Sequence, residues 1–242
     1  MLTVKELKAR YKSTYFGFLW AFINPLLQMI ILSIVFKFFF RIQVENYSIF
    51  LFSGLLPWMF FSLSLTSGTS TLIDNRDILK KVVFPREILP LSAISANFVN
   101  FAASMVIFIL VLAIFGFINF NQIIFLPIAI VLQLVLTLGI VLLTSALNIV
   151  YRDVAYIIQA GLILWFYVSP IFYPLSFVPE KFANLYSLNP TVGIIGLYHY
   201  SVIGQDFPST LAISASFVFS LALCLIGLLV FEKKKANFAD YV

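Results

Sequence analysis

The chain has 242 residues, 62% of them hydrophobic and only 10% charged, with 15 Lys and Arg against 10 Asp and Glu. Soluble domains run at about 45–50% apolar and about 25% charged residues, so these proportions exclude a water-soluble globular protein and define an integral membrane protein. The formal charge of +5 sits in short flanking segments, where it sets orientation in a bilayer and marks no nucleic-acid surface.

Residues 1–19 carry Lys5, Lys8, Arg10 and Lys12. At about 100° per residue, Val4, Leu7, Tyr11 and Tyr15 share one side, with Lys5, Lys8 and Lys12 beside them. The spacing predicts an amphipathic helix on the cytoplasmic leaflet, its lysines at anionic headgroups. The alternative is a basic flank that only sets topology.

Charge-free runs follow: 24 residues from Ser13 to Phe36, 28 from Asn46 to Ile73, 64 from Ile88 to Tyr151, and 26 from Val154 to Pro179. A crossing needs about 20 apolar residues, so the longest run holds two crossings. Their turn falls at GFINFNQ, residues 116–122. With the uncharged stretch Leu211–Phe231, six spans are predicted, at 20–40, 50–72, 92–116, 123–149, 154–173 and 211–231. The first is too long for a cleavable signal and no A-x-A site follows it, so it is expected to be retained.

Between the second and third spans lies IDNRDILKKVVFPREILP, residues 73–90, which holds seven of the charged residues: Asp74, Arg76, Asp77, Lys80, Lys81, Arg86 and Glu87. Asp74, Asn75 and Asp77 suit the positive end of a short helix, with Lys80 and Lys81 in its next turn. Pro85 would end it. This reads as a stiff, charged lever, or more plainly as a solvated loop that fixes topology.

Orientation follows from the basic residues. Twelve of the 15, from the N-terminal segment, the 73–90 island, Arg152 and Lys233–Lys235, fall on one face of a six-span arrangement. That face, with both termini, is cytoplasmic. A seventh span through the uncharged run Phe182–Gln205 would place Lys233–Lys235 outside. The same run holds Asn184, Asn189, Pro190, Gly193, Gly196 and His199, poor material against lipid. Irregular backbone at membrane depth needs shielding by protein or water, so 170–204 is predicted as a re-entrant or interfacial external segment. The whole chain reads as one all-α transmembrane domain.

Energy sources are missing. No glycine is followed by lysine, so the G-x-x-x-x-G-K-[ST] phosphate loop is absent and the chain does not hydrolyse ATP by itself. No predicted span contains Asp or Glu, the usual carriers of proton or sodium coupling. Cys224 is the only cysteine and His199 the only histidine, which leaves no disulfide, no expected metal site and no general-base pair. A lone histidine in such a segment is more often a hydrogen-bonded structural residue than a base.

The segments LKARYKSTYFGFLWAFINPLLQM (7–29), FSGLLPWMFF (52–61), IDNRDILKKVVFPREILPLS (73–92), YRDVAYIIQAGLILWFYVSPIFYPLSFVP (151–179) and LNP (188–190) together resemble the permease subunit of type-2 ABC exporters. The match is to the polysaccharide branch, which includes O-antigen, capsule and teichoic acid permeases. The resemblance implies a homodimer of six-span subunits in the plasma membrane or bacterial inner membrane. Each would contact a separate ATP-binding subunit that holds ATP and Mg, this chain carrying no cofactor. The ATPase contacts implied are Arg10 and Tyr11, together with Asp74, Asn75, Arg76, Asp77, Lys80, Lys81, Arg86 and Glu87. It further implies short re-entrant gate helices between spans five and six, here 174–204, with Pro174, Pro179, Asn189, Pro190 and His199.

A glycan needs a shielded path across about 30 Å of hydrocarbon. Aromatic rings that stack on sugar C–H faces could line it, and Tyr15, Phe16, Trp20, Trp58, Trp165, Phe166, Tyr167, Phe172 and Tyr173 are candidates. The rival for each ring is membrane-interface belt or packing. The rival functions are an ABC exporter of small hydrophobic compounds or lipids, and a motor-free channel or scaffold.

Overall fold

The computed structural model describes residues 3, 15, 17–38, 44, 46–81, 84–118, 120–236 and 238. Among the described residues every regular element is helical. The α-helices are α1 (Trp20–Phe38), α2 (Tyr47–Asp74), α3 (Arg76–Lys81), α4 (Ile88–Ile114), α5 (Phe120–Ile123), α6 (Leu126–Asn148), α7 (Asp153–Tyr167), α8 (Glu180–Ser187), α9 (Pro190–Ile203) and α10 (Thr210–Lys235). The helix expected over residues 1–19, with Arg10, Tyr11 and Phe16, lies outside the described residues except at 3, 15 and the 3₁₀ turn Gly17–Leu19.

Five segments are long and apolar enough to cross a membrane: Gly17–Lys37, Tyr47–Asp74, Ile88–Ile114, Asn121–Asn148 and Thr210–Lys235. The predicted fifth span, 154–173, is shorter than expected. Its helix, α7, ends at Tyr167 after 15 residues, about 22 Å at 1.5 Å per residue, against about 30 Å of hydrocarbon. The reason is local. Pro170 disfavours helical backbone at Ser169, and the Ser169 hydroxyl turns back to donate to the Trp165 carbonyl at 2.7 Å.

Helix α2 is the hub. In its most apolar window 72% of residues are buried, against 11% in the window that covers α1. It packs on α1, α4, α6, α7 and α9, and its Leu51, Phe52, Leu55 and Leu65 are fully enclosed. Helices α6 and α10 make the longest contact because two glycines let their backbones touch. A Cβ on Gly139 would lie 2.4 Å from the Cys224 nitrogen, and one on Gly227 would lie 2.2 Å from the Gly139 carbonyl oxygen. With no hydrophobic drive between helices in lipid, such close approach gains its stability from dispersion contacts.

Pro25, inside α1, has no N–H and so leaves the Ala21 carbonyl without its helical donor. The Ser104 hydroxyl of α4 supplies one at 3.0 Å. This repair ties α1 to α4 where the α1 hydrogen-bond ladder is interrupted.

Between α7 and α10 the chain folds through the 3₁₀ turn Leu175–Phe177, then α8 and α9. Every residue of α9 from Thr191 to His199 is buried, against α2, α6 and α10. The polar and glycine-rich composition of this stretch thus accompanies a helix sheathed by protein. Gly193 sits where a Cβ would be 2.4 Å from the Ala212 carbonyl oxygen.

Candidate functional site

The island 73–90 begins where α2 runs out. Asn75 caps that end, its Nδ2 donating to the Thr71 carbonyl at 2.9 Å. The short helix α3 follows and is amphipathic. Leu79 is buried with Leu72, Leu89, Leu142, Ala146, Ile149, Phe231 and Phe238, which seats α3 on the ends of α2, α4, α6 and α10. Asp74, Arg76, Asp77 and Lys80 face outward and are exposed. None of these four forms an ion pair among the described residues.

The far end of the island is held differently. Lys235, which closes α10, donates to Glu87 Oε1 at 3.0 Å and also pairs with Glu232. The Arg86 guanidinium lies 5.9 Å from the centre of the Phe238 ring, and Phe238 is fully buried. A hydrogen bond with its own backbone, then Lys235, holds the Glu87 carboxyl below the usual carboxylate range against the opposing effect of burial. A depressed carboxyl stabilises the clasp above its unfolded-state value and loses that contribution as pH falls through the folded value. The clasp is therefore at full strength at neutral pH. Thus Asp74, Arg76, Asp77 and Lys80 are available to a partner, while Arg86 and Glu87 are half-buried against the tail.

The aromatic candidates divide. Trp58, Phe166, Tyr167, Phe172 and Tyr173 form one cluster with Trp165, Phe61 and Phe36. Trp58 lies 5.7 Å from Phe166, Phe166 lies 5.5 Å from Phe172, and Phe36 of α1 stacks on Phe172 at 4.8 Å. The Tyr173 hydroxyl donates to the Tyr167 carbonyl at 3.0 Å and meets the Tyr186 hydroxyl at 2.8 Å. Trp58 is buried, Phe166, Phe172 and Tyr173 are half-buried, and Tyr167 is exposed. Tyr15 stands apart at 98% exposure, and Trp20 edges a separate cleft on the other side of α2.

In the segment predicted as an external gate, Pro174 and Pro179 precede the 3₁₀ turn and α8 with extended backbone. Asn189 caps α9. Its Oδ1 accepts from Thr191 N–H at 3.1 Å, the Thr191 hydroxyl at 2.8 Å and Trp165 Nε1 at 2.9 Å, while its Nδ2 donates to the Val168 carbonyl at 2.9 Å. Pro190 takes the first helical position, where its missing N–H costs nothing. Asn189 therefore fixes the start of α9 to the end of α7.

His199 joins three elements. A carbonyl oxygen can only accept, so Nε2 donates to Pro170 at 2.9 Å, and in a neutral ring Nδ1 takes the Ser53 hydroxyl at 2.8 Å. The ring stacks on Phe50 at 4.2 Å. The residue before it acts likewise: the Tyr198 hydroxyl donates to Gln133 Oε1 at 2.6 Å, and Gln133 Nε2 donates to the Pro57 carbonyl at 2.6 Å. Sequence reasoning missed Gln133 and Tyr198. The signal was a glutamine in the middle of the 64-residue charge-free run, since an intramembrane amide demands partners. His199→Ala is expected to remove two hydrogen bonds and leave a cavity, costing about 3 kcal/mol. The apparent Tm of the purified protein should fall markedly; an unchanged Tm would mean that α9 is not pinned through this ring.

A bundle of apolar helices around a polar-pinned inner helix, with outward charges on one short element at its end and no phosphate loop in the sequence, has the parts of a transporter's membrane subunit. Residues 1–203 match the family described as ABC-2 type transporter, and the chain belongs to it. It is 33% identical over 243 residues to an O-antigen export system permease protein RfbA of Myxococcus xanthus, covering 100% of this chain and 94% of that one. It is 35% identical over 245 residues to the protein of that name in Klebsiella pneumoniae, covering 99% and 93%. To the polysialic acid transport protein KpsM of Escherichia coli it is 20% identical over 237 residues, covering 97% and 92%.

Proposed function

We propose that this chain is the membrane-spanning subunit of an ATP-driven exporter that moves a lipid-linked polysaccharide, of the O-antigen, capsule or teichoic acid class, from the cytoplasmic to the outer face of the inner membrane. The observation that carries this reading is likeness over 99–100% of the chain to permeases named for O-antigen export. Two copies form the permease, and each docks one ATP-binding subunit that holds ATP and Mg. On α7 only Leu162 is buried, and α1 has little cover, so both offer apolar faces to a second copy. In this reading α7 is the fifth of six crossings, completed with the help of the partner copy. The segment 174–204 is a re-entrant gate on the outer side, and both termini are cytoplasmic.

The N-terminal segment, with Arg10 and Tyr11, and the island, through Asp74, Asn75, Arg76, Asp77, Lys80 and Lys81, receive the ATPase. Arg86 and Glu87 contribute by bracing the island on the tail. Closure of the ATPases on ATP pushes α3, and α2 carries the movement to the aromatic cluster at Trp58 and Phe166. Nucleotide drives this only if it binds one state of the permease better than the other.

Extraction of the protein from its native membrane in mild detergent, followed by mass spectrometry and an ATPase assay, tests the reading. A stoichiometric partner with a phosphate loop, and surface glycan that disappears when the gene is deleted, are the expected results. Gentle extraction that repeatedly yields the chain alone, with surface glycan intact in the deletion, would overturn it.

A further inference from the structure

No residue of α8 is buried, yet its sides differ. Phe182, Leu185 and the capping residue Leu188 recur every third residue along one side, and all three are exposed, Leu185 by 70%. Glu180 and Asn184 hold another side, and Lys181 stands beside the apolar stripe, its Nζ 4.7 Å from the centre of the Phe182 ring. Neither Glu180 nor Lys181 forms an ion pair among the described residues. The remaining side, Ala183 and Tyr186, is half-buried, and the Tyr186 hydroxyl meets that of Tyr173 at 2.8 Å.

The length of α7 decides what meets the stripe. Arg152 and Asp153 are exposed charges at the start of α7, too costly to hold in hydrocarbon, so the helix begins no deeper than that boundary. Its 15 residues rise about 22 Å against about 30 Å of hydrocarbon, which leaves its far end about 8 Å short of the opposite boundary. Tilt only adds to the shortfall. Asn189, two residues beyond α8, donates to the Val168 carbonyl at that same end at 2.9 Å, so the last turn of α8 lies within the hydrocarbon as well. The eight residues of α8 rise about 12 Å, enough to return Glu180 and Lys181 to the headgroups. The stretch 170–179 suits this depth, since Pro170, Pro174 and Pro179 have no N–H to leave unsatisfied.

The occupant of the stripe is lipid and not a second copy. Helix α8 packs on α9 and α10, and α10 continues the exposed apolar surface with Leu211, Phe217 and Val218. The faces open to a second copy belong to α1 and α7, which pack chiefly on α2, α4 and α6. A lysine beside an apolar stripe suits the phosphate level of a leaflet, its stem in the apolar zone and its amine at the headgroups. We infer that α8 is a lipid-binding interfacial helix, with Phe182, Leu185 and Leu188 among the acyl chains of the leaflet farther from the island and Lys181 at that leaflet's phosphates. Through Asn189 the same leaflet fixes where the inner helix α9 begins. The inference needs only a membrane-crossing bundle, so it stands or falls apart from the exporter reading.

The test reads depth at single sites. In a Cys224→Ser background, which leaves no native cysteine, a nitroxide is attached at Leu185→Cys, Leu188→Cys or Asn184→Cys in the full chain, reconstituted in phosphatidylglycerol nanodiscs. Collision with oxygen, which concentrates in hydrocarbon, is compared with collision with a water-soluble nickel chelate. The oxygen-to-nickel ratio is expected to be about threefold higher at 185 and 188 than at 184. Lys181→Glu should lower the ratio at 185 about twofold, because the anionic surface repels the new carboxylate. Nickel collision above oxygen at 185 and 188 means that water covers the stripe. Low collision with both, with dipolar broadening between labels, means that a second copy covers it. Either result overturns the inference, and an unchanged ratio in Lys181→Glu overturns its headgroup half.

Discussion

Asp77→Lys is expected to cut polysaccharide export at least tenfold while the protein reaches the membrane at its usual level. Asp77 is exposed on α3 and carries no ion pair among the described residues, so reversing its charge costs the subunit only its exposed interaction with the first turn of α3, about 0.3–1 kcal/mol. Against a complementary ATPase surface it places like beside like, which costs several kcal/mol, and each 1.4 kcal/mol is about tenfold in affinity. ATPase activity of the assembled complex should lose its dependence on the permease. The informative companion is Leu79→Ala, which empties the seat of α3 and should destabilise the island itself, lowering both protein level and export. Normal export by Asp77→Lys would remove α3 from the coupling.

Gly139→Leu is expected to abolish folded protein. The new Cβ would lie 2.4 Å from the Cys224 nitrogen and 2.5 Å from the Leu223 carbonyl carbon. These are backbone atoms with no rotamer to change, and the opposing Gly227 leaves no slack because its own missing side chain is already used by the Gly139 carbonyl. Overpacking that side chains can absorb costs about 1–3 kcal/mol; here α6 and α10 must separate along their whole contact. Gly161→Leu on α7, where nothing in the subunit lies within 4 Å, is the matched control for subunit folding and should leave folded protein in the membrane at normal yield. A monodisperse Gly139→Leu protein at normal yield would show that the two helices do not meet at this pair.

The long charge-free runs made the membrane class and five of the six predicted crossings legible, because burying charge in hydrocarbon is prohibitive whatever the fold. They overran the fifth: nothing in an uncharged count registers that Ser169 turns back on Trp165 and that Pro170 breaks the ladder. The island was legible as a charged element but not as two halves, since the tail residues Lys235 and Phe238 that claim Glu87 and Arg86 lie about 150 positions later. His199 was legible as structural, yet its partner Ser53 is 146 residues away, and the Tyr198–Gln133 bond spans 65.

Phe238 carries a consequence for how the protein is made. The floor beneath α3 is laid partly by Phe231 and Phe238, residues that leave the ribosome after all the rest of that cluster. Until α10 and Phe238 follow, Leu79 has only Leu72, Leu89 and the α6-end residues Leu142, Ala146 and Ile149 to pack against. A chain interrupted before that point would leave the floor beneath α3 incomplete. Phe231 and Phe238 thus complete a surface whose other side, at Leu79 and Leu89, is encoded about 150 positions earlier.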